Sequence, residues 1–142
     1  MALEPWRYAA GDLMPAFRDR IDAAEDISSL WIELWDCEIE GRDDEPLTHA
    51  ELASLFCFAS WCLLSRDEDC QNAAIVEFYE MLPTNPRIRE NLHRFLTVED
   101  FDGLKGLFEY YLSPEEHAEL VEEFMRNAAL EPGSQSQIEG EA

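Results

Sequence analysis

Apolar residues recur at intervals of three and four positions from about residue 11 to residue 129. This spacing is typical of α-helices that bury one face. The short run AAIV at 73–76 could form a strand by itself, but the EFYEML that follows favours a helix there. The pattern therefore predicts an all-α fold, a compact bundle of about six to seven helices.

The predicted helix at about 48–65 is apolar on almost every side. Thr48 followed by Glu51 is the pattern of a capping box, which opens a helix, and only Ser54 and Ser60 interrupt the apolar positions that follow. Those positions are Leu52, Leu55, Phe56, Cys57, Phe58, Ala59, Trp61, Leu63 and Leu64. A helix that is apolar all round is a buried one. We therefore expect this helix to form the centre of the bundle.

The segment SSLWIELWDCEIEG at 28–41 predicts another helix, which ends at Gly41. Its apolar rows are Leu30, Leu34 and Cys37 beside Trp31, Trp35 and Ile39. A separate acidic face leads into the charged loop RDDEP. We name this set of side chains the acidic ridge, and its members are Glu33, Asp36, Glu40, Asp43, Asp44 and Glu45. Two explanations stay open: nearby Arg18, Arg20 or Arg42 neutralises the ridge, or the ridge binds a cationic partner.

Two similar segments close the helical region. LTVEDFDGL, which starts at Leu96, is followed sixteen residues later by LSPEEHAEL. Each has Ser or Thr followed three residues later by an acid, which predicts two helix starts and hence a helical hairpin. Gly103 and Gly106 are expected to allow close approach of its helices. We predict a single helical domain over residues 1–130 and a disordered acidic tail over residues 131–142, where the apolar periodicity is lost.

The charge balance restricts the partners. The chain carries 32 acidic residues against 10 basic ones, a formal net charge of −22. Nucleic acid and anionic membranes would both repel such a protein, so neither is an expected partner. The N-terminal sequence lacks the pattern of a signal peptide, and no stretch is long and apolar enough to span a bilayer. We expect a cytoplasmic protein with reduced cysteines, and the sequence leaves its oligomeric state open.

The cysteines of FCFASWC, at 56–62, do not have the spacing of a metal site. Cys57 and Cys62 lie about 140° apart around a helix, and the chain contains no C-x-x-C pair. Buried free cysteine behaves as a small apolar residue. We therefore interpret Cys57 and Cys62 as core residues.

The histidine motifs are incomplete. His49 and Glu51 fit the H-x-E of zinc deaminases, but the P-C-x-x-C that supplies the other ligands is missing. Glu90 and His93 form one E-x-x-H, whereas a di-iron bundle needs two. No nucleophile elbow and no nucleotide-binding glycine pattern occurs. The sequence predicts no catalytic residue, no metal and no cofactor, and it favours a non-enzymatic function.

Residues 28–125 contain the segments LWIELWDC, FASWCL and FYEMLPTNPRIRENLHRFLT, with Phe101 further on. In the placement of aromatic residues and prolines they resemble a family of small, acidic, all-helical bacterial proteins of undefined activity. Some members of that family resemble the immunity proteins encoded beside secreted polymorphic toxins. The resemblance implies a helical fold and, as partner, a basic protein such as a toxin domain.

Two functional hypotheses follow from the sequence. In the first, an immunity-like interaction protein binds a cationic partner protein through the acidic ridge. In the second, a small helical enzyme or ligand-binding protein uses a pocket that no motif reveals. A toxin-like gene immediately upstream would favour the first.

Overall fold

Helices account for all the regular secondary structure in the described part of the computed structural model, which covers residues 4–42 and 45–130. The all-α prediction is confirmed. The α-helices are α1 (Pro5–Leu13), α2 (Arg18–Ala23), α3 (Ile27–Glu33), α4 (His49–Leu64), α5 (Glu68–Glu77), α6 (Pro86–Phe95), α7 (Val98–Tyr111) and α8 (Pro114–Leu130). The remaining segments are two 3₁₀ segments, Pro15–Phe17 and Tyr79–Thr84, and a π turn, Leu34–Ile39.

Helix α1 brings the number of α-helices in the described residues to eight, more than the six to seven expected from the sequence. Pro5 occupies its first turn, where a missing backbone N–H costs no hydrogen bond. Trp6 and Ala10 lie one turn apart and are buried. With only 9 residues, α1 is too short for its apolar spacing to stand out in the sequence.

The helix starts follow the predicted capping chemistry. Thr48 Oγ1 accepts the backbone N–H of Glu51 at 3.1 Å, and Glu51 Oε1 accepts that of Thr48 at 2.9 Å. Thr97 with Asp100 makes the same reciprocal pair at the start of α7. Ser113 and Glu116 make a third such pair before α8. These boxes satisfy backbone donors that a helix start would otherwise leave unpaired.

The chain divides into two compact units, Met1–Tyr79 and Glu80–Ala142. The single helical domain at 1–130 stays a prediction. The predicted disordered tail at 131–142 lies outside the described residues.

The core of the first unit is built around Trp31 of α3. This indole is fully buried, with its ring centroid 5.4 Å from that of Phe58 on α4 and 4.8 Å from that of Phe78 after α5. Helix α5 packs against both α3 and α4, and α1 packs against α4. The first unit also holds every tryptophan of the chain, namely Trp6, Trp31, Trp35 and Trp61.

Helix α4 has one solvent-facing side, so it is not buried all round. Cys57 is exposed, Leu64 is 83% exposed and Trp61 is half-buried. These three positions are separated by four and three residues and therefore share one face. The opposite positions, Leu55 and Ala59 among them, are fully buried. The interpretation of Cys57 as a core residue is wrong, because the elements of the first unit cover only one side of the helix.

The second unit packs α8 against α6 and α7. Phe101 of α7 stacks on Phe124 of α8 with ring centroids 4.0 Å apart and planes 4° from parallel. Arg89 Nε of α6 donates to Glu123 Oε2 of α8 at 2.6 Å. Gly103 and Gly106 are exposed, and no described atom lies within 4 Å of a Cβ placed on either. Neither glycine therefore serves a close helix approach, contrary to the sequence-based expectation.

Candidate functional site

A π turn continues α3 and carries the first part of the acidic ridge. The backbone N–H of Glu40 donates to the carbonyl oxygen of Trp35, five residues back, at 2.9 Å. Each such turn holds one more residue than an α-helical turn, and π turns occur frequently at functional sites. The segment ends at Gly41, where an added Cβ would lie 2.7 Å from the carbonyl oxygens of Asp36 and Cys37. Only glycine therefore fits this closure without a backbone shift.

The structure exposes the ridge side chains that it describes. Glu33, Asp36 and Glu40 are exposed on α3 and the π turn, and Glu45 is exposed in the following loop. The remaining predicted members, Asp43 and Asp44, lie outside the described residues.

Glu38 is a buried carboxylate beside the ridge. Its residue is only 8% exposed. It accepts hydrogen bonds from Arg20 Nε of α2 and from Arg42 Nε, the latter at 2.7 Å. We name Glu38, Arg20 and Arg42 the ion triad. Arg42 Nη1 also lies 3.6 Å from Glu51 Oε2 in the capping box of α4. The triad therefore links α2, the π turn and the start of α4.

Glu38 and Arg20 keep their charges in the folded protein. Burial by itself would raise the pKa of Glu38, but the hydrogen bonds donated by Arg20 and Arg42 outweigh it and hold that pKa below its ordinary value. The hydrogen bond to Glu38 raises the pKa of Arg20 in turn. Glu38 and Arg20 are therefore ionised at neutral pH.

The arginines that were candidates for neutralising the ridge are engaged elsewhere. Arg20 and Arg42 both bind Glu38. Arg18 donates to the backbone oxygen of Gly11 at 3.3 Å. Within residues 4–42 and 45–130, no ion pair joins an arginine to Glu33, Asp36 or Glu40. The exposed acids of the ridge thus face solvent without an ion pair among the described residues, although the charge of Glu33 contributes to raising the pKa of Arg20.

An open groove of about 490 Å³ borders the triad and one end of the ridge. Its lining comes from the 3₁₀ segment before α2, from α2 itself, from α3 and from the π turn. The lining residues are Ala16, Phe17, Asp19, Arg20, Ala23, Glu33 and Glu38. The groove thus combines apolar surface with charges of both signs. We name it the α2 groove.

Sequence reasoning missed Glu38, although a signal for it exists. Glu38 is four residues after Leu34 and seven after Trp31, which places a carboxylate in the middle of an apolar helix face. An acid in that position must find a cation or remain neutral. The same reasoning assigned Cys37 and Ile39 to apolar rows, yet Cys37 is exposed and Ile39 is only half-buried. The π turn changes the face that each residue after Leu34 presents.

The other residues considered for chemistry do not converge on a site. His49 is exposed near the start of α4, whereas His93 is buried in α6. Burial raises the pKa of Cys62 to about 12 and that of Cys70 to about 11, so both are inert thiols at neutral pH. In the part of the chain that the structure describes, no group of three His, Cys, Asp or Glu side chains could hold a metal ion.

Comparison with protein-family models, with curated proteins and with solved structures finds no match. Among the described helices, none has both the length and the hydropathy needed to cross a bilayer. The acidic ridge, the ion triad and the α2 groove are thus the features on which a functional interpretation can be built.

Proposed function

We propose that this chain is a non-enzymatic interaction protein that binds a cationic partner protein through its acidic ridge. In this proposal the protein acts in the cytoplasm, and its partner is a basic protein such as a toxin domain, as for an immunity protein. The binding residues are Glu33, Asp36, Glu40, Asp43, Asp44 and Glu45.

The observation that carries the proposal is the separation of charges around Glu38. Two arginines close to the ridge are bound to this buried acid, while Glu33, Asp36 and Glu40 are exposed. Clustered like charges repel one another and gain nothing inside the chain. A positive surface on a partner would relieve that repulsion. Charge complementarity of this kind raises the association rate and selects the partner more than it adds affinity.

The backbone under the ridge is well suited to present these charges in a fixed arrangement. The ion triad ties the π turn to α2, and Arg42 extends the link to α4. Gly41 closes the turn against its own backbone. Interaction sites held by rigid elements lose less conformational entropy on binding than sites on loose loops.

The test is a charge reversal with a matched control. In the ridge variant, Glu33, Asp36 and Glu40 are replaced by Lys. In the control variant, the exposed α8 residues Glu115, Glu119 and Glu122 are replaced by Lys. Both variants change the net charge equally, and each replaces three exposed acids. Each immobilised protein is exposed to native lysate, and the association rate of any captured protein is then measured at low and high salt.

We expect the wild type and the α8 variant to capture the same basic protein, and the ridge variant to capture it at least tenfold more slowly at low salt. The rate for the wild type should fall as salt rises, because the attraction is screened. Equal rates for the ridge and α8 variants would show that only net charge matters. An unchanged rate for the ridge variant would contradict the proposal.

A further inference from the structure

The α2 groove has an apolar lining with acids beside it. Ala16 and Ala23 are exposed and supply the accessible apolar surface, while Phe17 also lines the groove but is only 3% exposed. Asp19 and Glu33 are exposed acids that line the same groove. This combination suits a ligand with an apolar stem and a charged end.

The charges of the groove are not balanced. Its one guanidinium, that of Arg20, is bound to Glu38. Within the described residues, no ion pair involves Asp19 or Glu33. Glu38 is shared between Arg20 and Arg42, so the three acids Asp19, Glu33 and Glu38 exceed the two arginines by one negative charge. The groove is therefore complementary to one additional cation.

A second cavity in the first unit makes a useful contrast. It has a volume of about 340 Å³ and is also rich in carboxylates. There, however, Asp26 and Asp67 each accept a backbone N–H of the helix they cap, at 2.8 and 2.9 Å. Glu4 accepts the indole N–H of Trp6 at 2.9 Å and pairs with Arg7. Those acids already serve the fold, whereas the side chains of Asp19 and Glu33 make no hydrogen bond or ion pair within the described residues.

We propose that the α2 groove receives an arginine side chain of the partner protein. This inference rests on the proposed function and adds an anchor to it. The arginine stem would lie against Ala16 and Ala23, and the guanidinium would reach Asp19 and Glu33. A guanidinium suits two carboxylates better than an ammonium does, because it is planar, weakly hydrated and offers five donors in a fork. Glu33 belongs to both the groove and the ridge, so the anchor lies at one end of the charged surface.

The probes are two capped tripeptides, acetyl-Gly-Arg-Gly-amide and its citrulline analogue, which has the same shape without the charge. Each is titrated into the ¹⁵N-labelled full chain, and backbone amide shifts are recorded. We expect saturable shifts centred on Phe17, Arg20 and Glu33 with the arginine peptide, which weaken as salt rises. The citrulline peptide should produce no saturable shift there.

Two pairs of variants make the test specific. Asp19→Asn removes a groove carboxylate, whereas Asp22→Asn makes the same change at an exposed residue of α2 that does not line the groove. We expect Asp19→Asn to lower the affinity for the arginine peptide at least threefold, as the loss of one partly screened ion pair would. Asp22→Asn should leave this affinity unchanged. Ala16→Phe, which fills the groove without changing its charge, should also weaken binding.

Three outcomes would overturn the inference. They are amide shifts that are absent from the groove residues, amide shifts that are equal for the two peptides, and amide shifts that are unaffected by Asp19→Asn and Ala16→Phe. Circular dichroism of each variant excludes a loss of fold as the cause. Failure of this inference is distinguishable from failure of the proposed function, because Asp19 is not a ridge residue. A ridge reversal that slows partner association while Asp19→Asn changes nothing would remove only the arginine anchor.

Discussion

The indole ring of Trp31 lies against the ring of Phe78, with the two centroids 4.8 Å apart. Because Trp31 is fully buried, Trp31→Ala should open a cavity and lower the free energy of unfolding by about 3–5 kcal/mol. Trp61 is half-buried on the outer side of α4, so Trp61→Ala should lower the free energy of unfolding clearly less. Urea denaturation followed by circular dichroism compares the two variants. Equal losses would contradict the assignment of Trp31 to the centre of the core.

Neutralising Glu38 should destabilise the fold in a pH-dependent way. Its pKa lies below the ordinary 4.5 in the folded chain, so the unfolded chain takes up a proton first as the pH falls. The stabilisation is therefore complete above about pH 4.5 and is lost as the pH falls through the lowered folded value. We expect Glu38→Gln to lose about 1–3 kcal/mol at pH 7, as for a hydrogen bond to a charged group. The difference in unfolding free energy between Glu38→Gln and the wild type should shrink towards pH 3.

Glu109→Gln is the control for this experiment, because Glu109 is exposed on α7. Its unfolding free energy at pH 7 should equal that of the wild type. If Glu38→Gln did the same, the ion triad would contribute nothing to stability.

Gly41→Ala and Gly103→Ala should change stability in opposite directions. A Cβ at Gly41 would meet two backbone oxygens at 2.7 Å, and overpacking of this kind costs about 1–3 kcal/mol. A Cβ at Gly103 would meet nothing within 4 Å, and replacing glycine inside a helix gains about 0.5–1 kcal/mol. Urea midpoints of the two variants give the comparison. A stabilised Gly41→Ala would mean that the π turn can open at no cost.

The four cysteines should react in two classes. Cys37 and Cys57 are exposed, whereas Cys62 and Cys70 are buried and have pKa values raised to about 12 and about 11. A thiol reagent at pH 8 should therefore modify two cysteines per folded chain quickly and all four in denaturant. Mass spectrometry of the modified peptides identifies them. Rapid modification of Cys62 in the folded chain would show that α4 and α5 separate readily.

The single-domain prediction can be tested with two optical signals. Tryptophan fluorescence reports on the first unit alone, since the second contains no tryptophan. Far-UV circular dichroism reports on the helices of both units. A single cooperative domain at 1–130 should give coincident urea transitions by the two methods. Two urea transitions that do not coincide would show that the chain unfolds as two separate domains.

Helix starts are the features that the sequence predicts best. Thr48, Thr97 and Ser113 begin helices as expected, because a capping box depends only on groups within one turn of chain. The all-α class follows equally directly from the spacing of apolar residues. Both signals are local and need no knowledge of the neighbouring elements.

Burial is predicted less well, because it depends on what the rest of the chain places against each helix. Leu64 is apolar and 83% exposed, while Glu38 is charged and buried. The spacing of apolar residues also assumes an α-helix, so it cannot reveal the π turn after Glu33. The exposure of the ridge is visible in the sequence, but the commitment of Arg20 and Arg42 to Glu38 appears only in three dimensions.

A π turn can be regarded as an α-helix with one residue inserted, and the wider turn absorbs that residue. Deleting Cys37, an exposed residue of that turn, would therefore allow a regular helix in which Glu40 keeps about its present direction relative to Glu33. A relative one residue shorter here would present the same charged surface. A relative of the same length that forms a regular α-helix over this segment would instead turn Glu40 by about 100° relative to Glu33, although no acidic residue had been replaced.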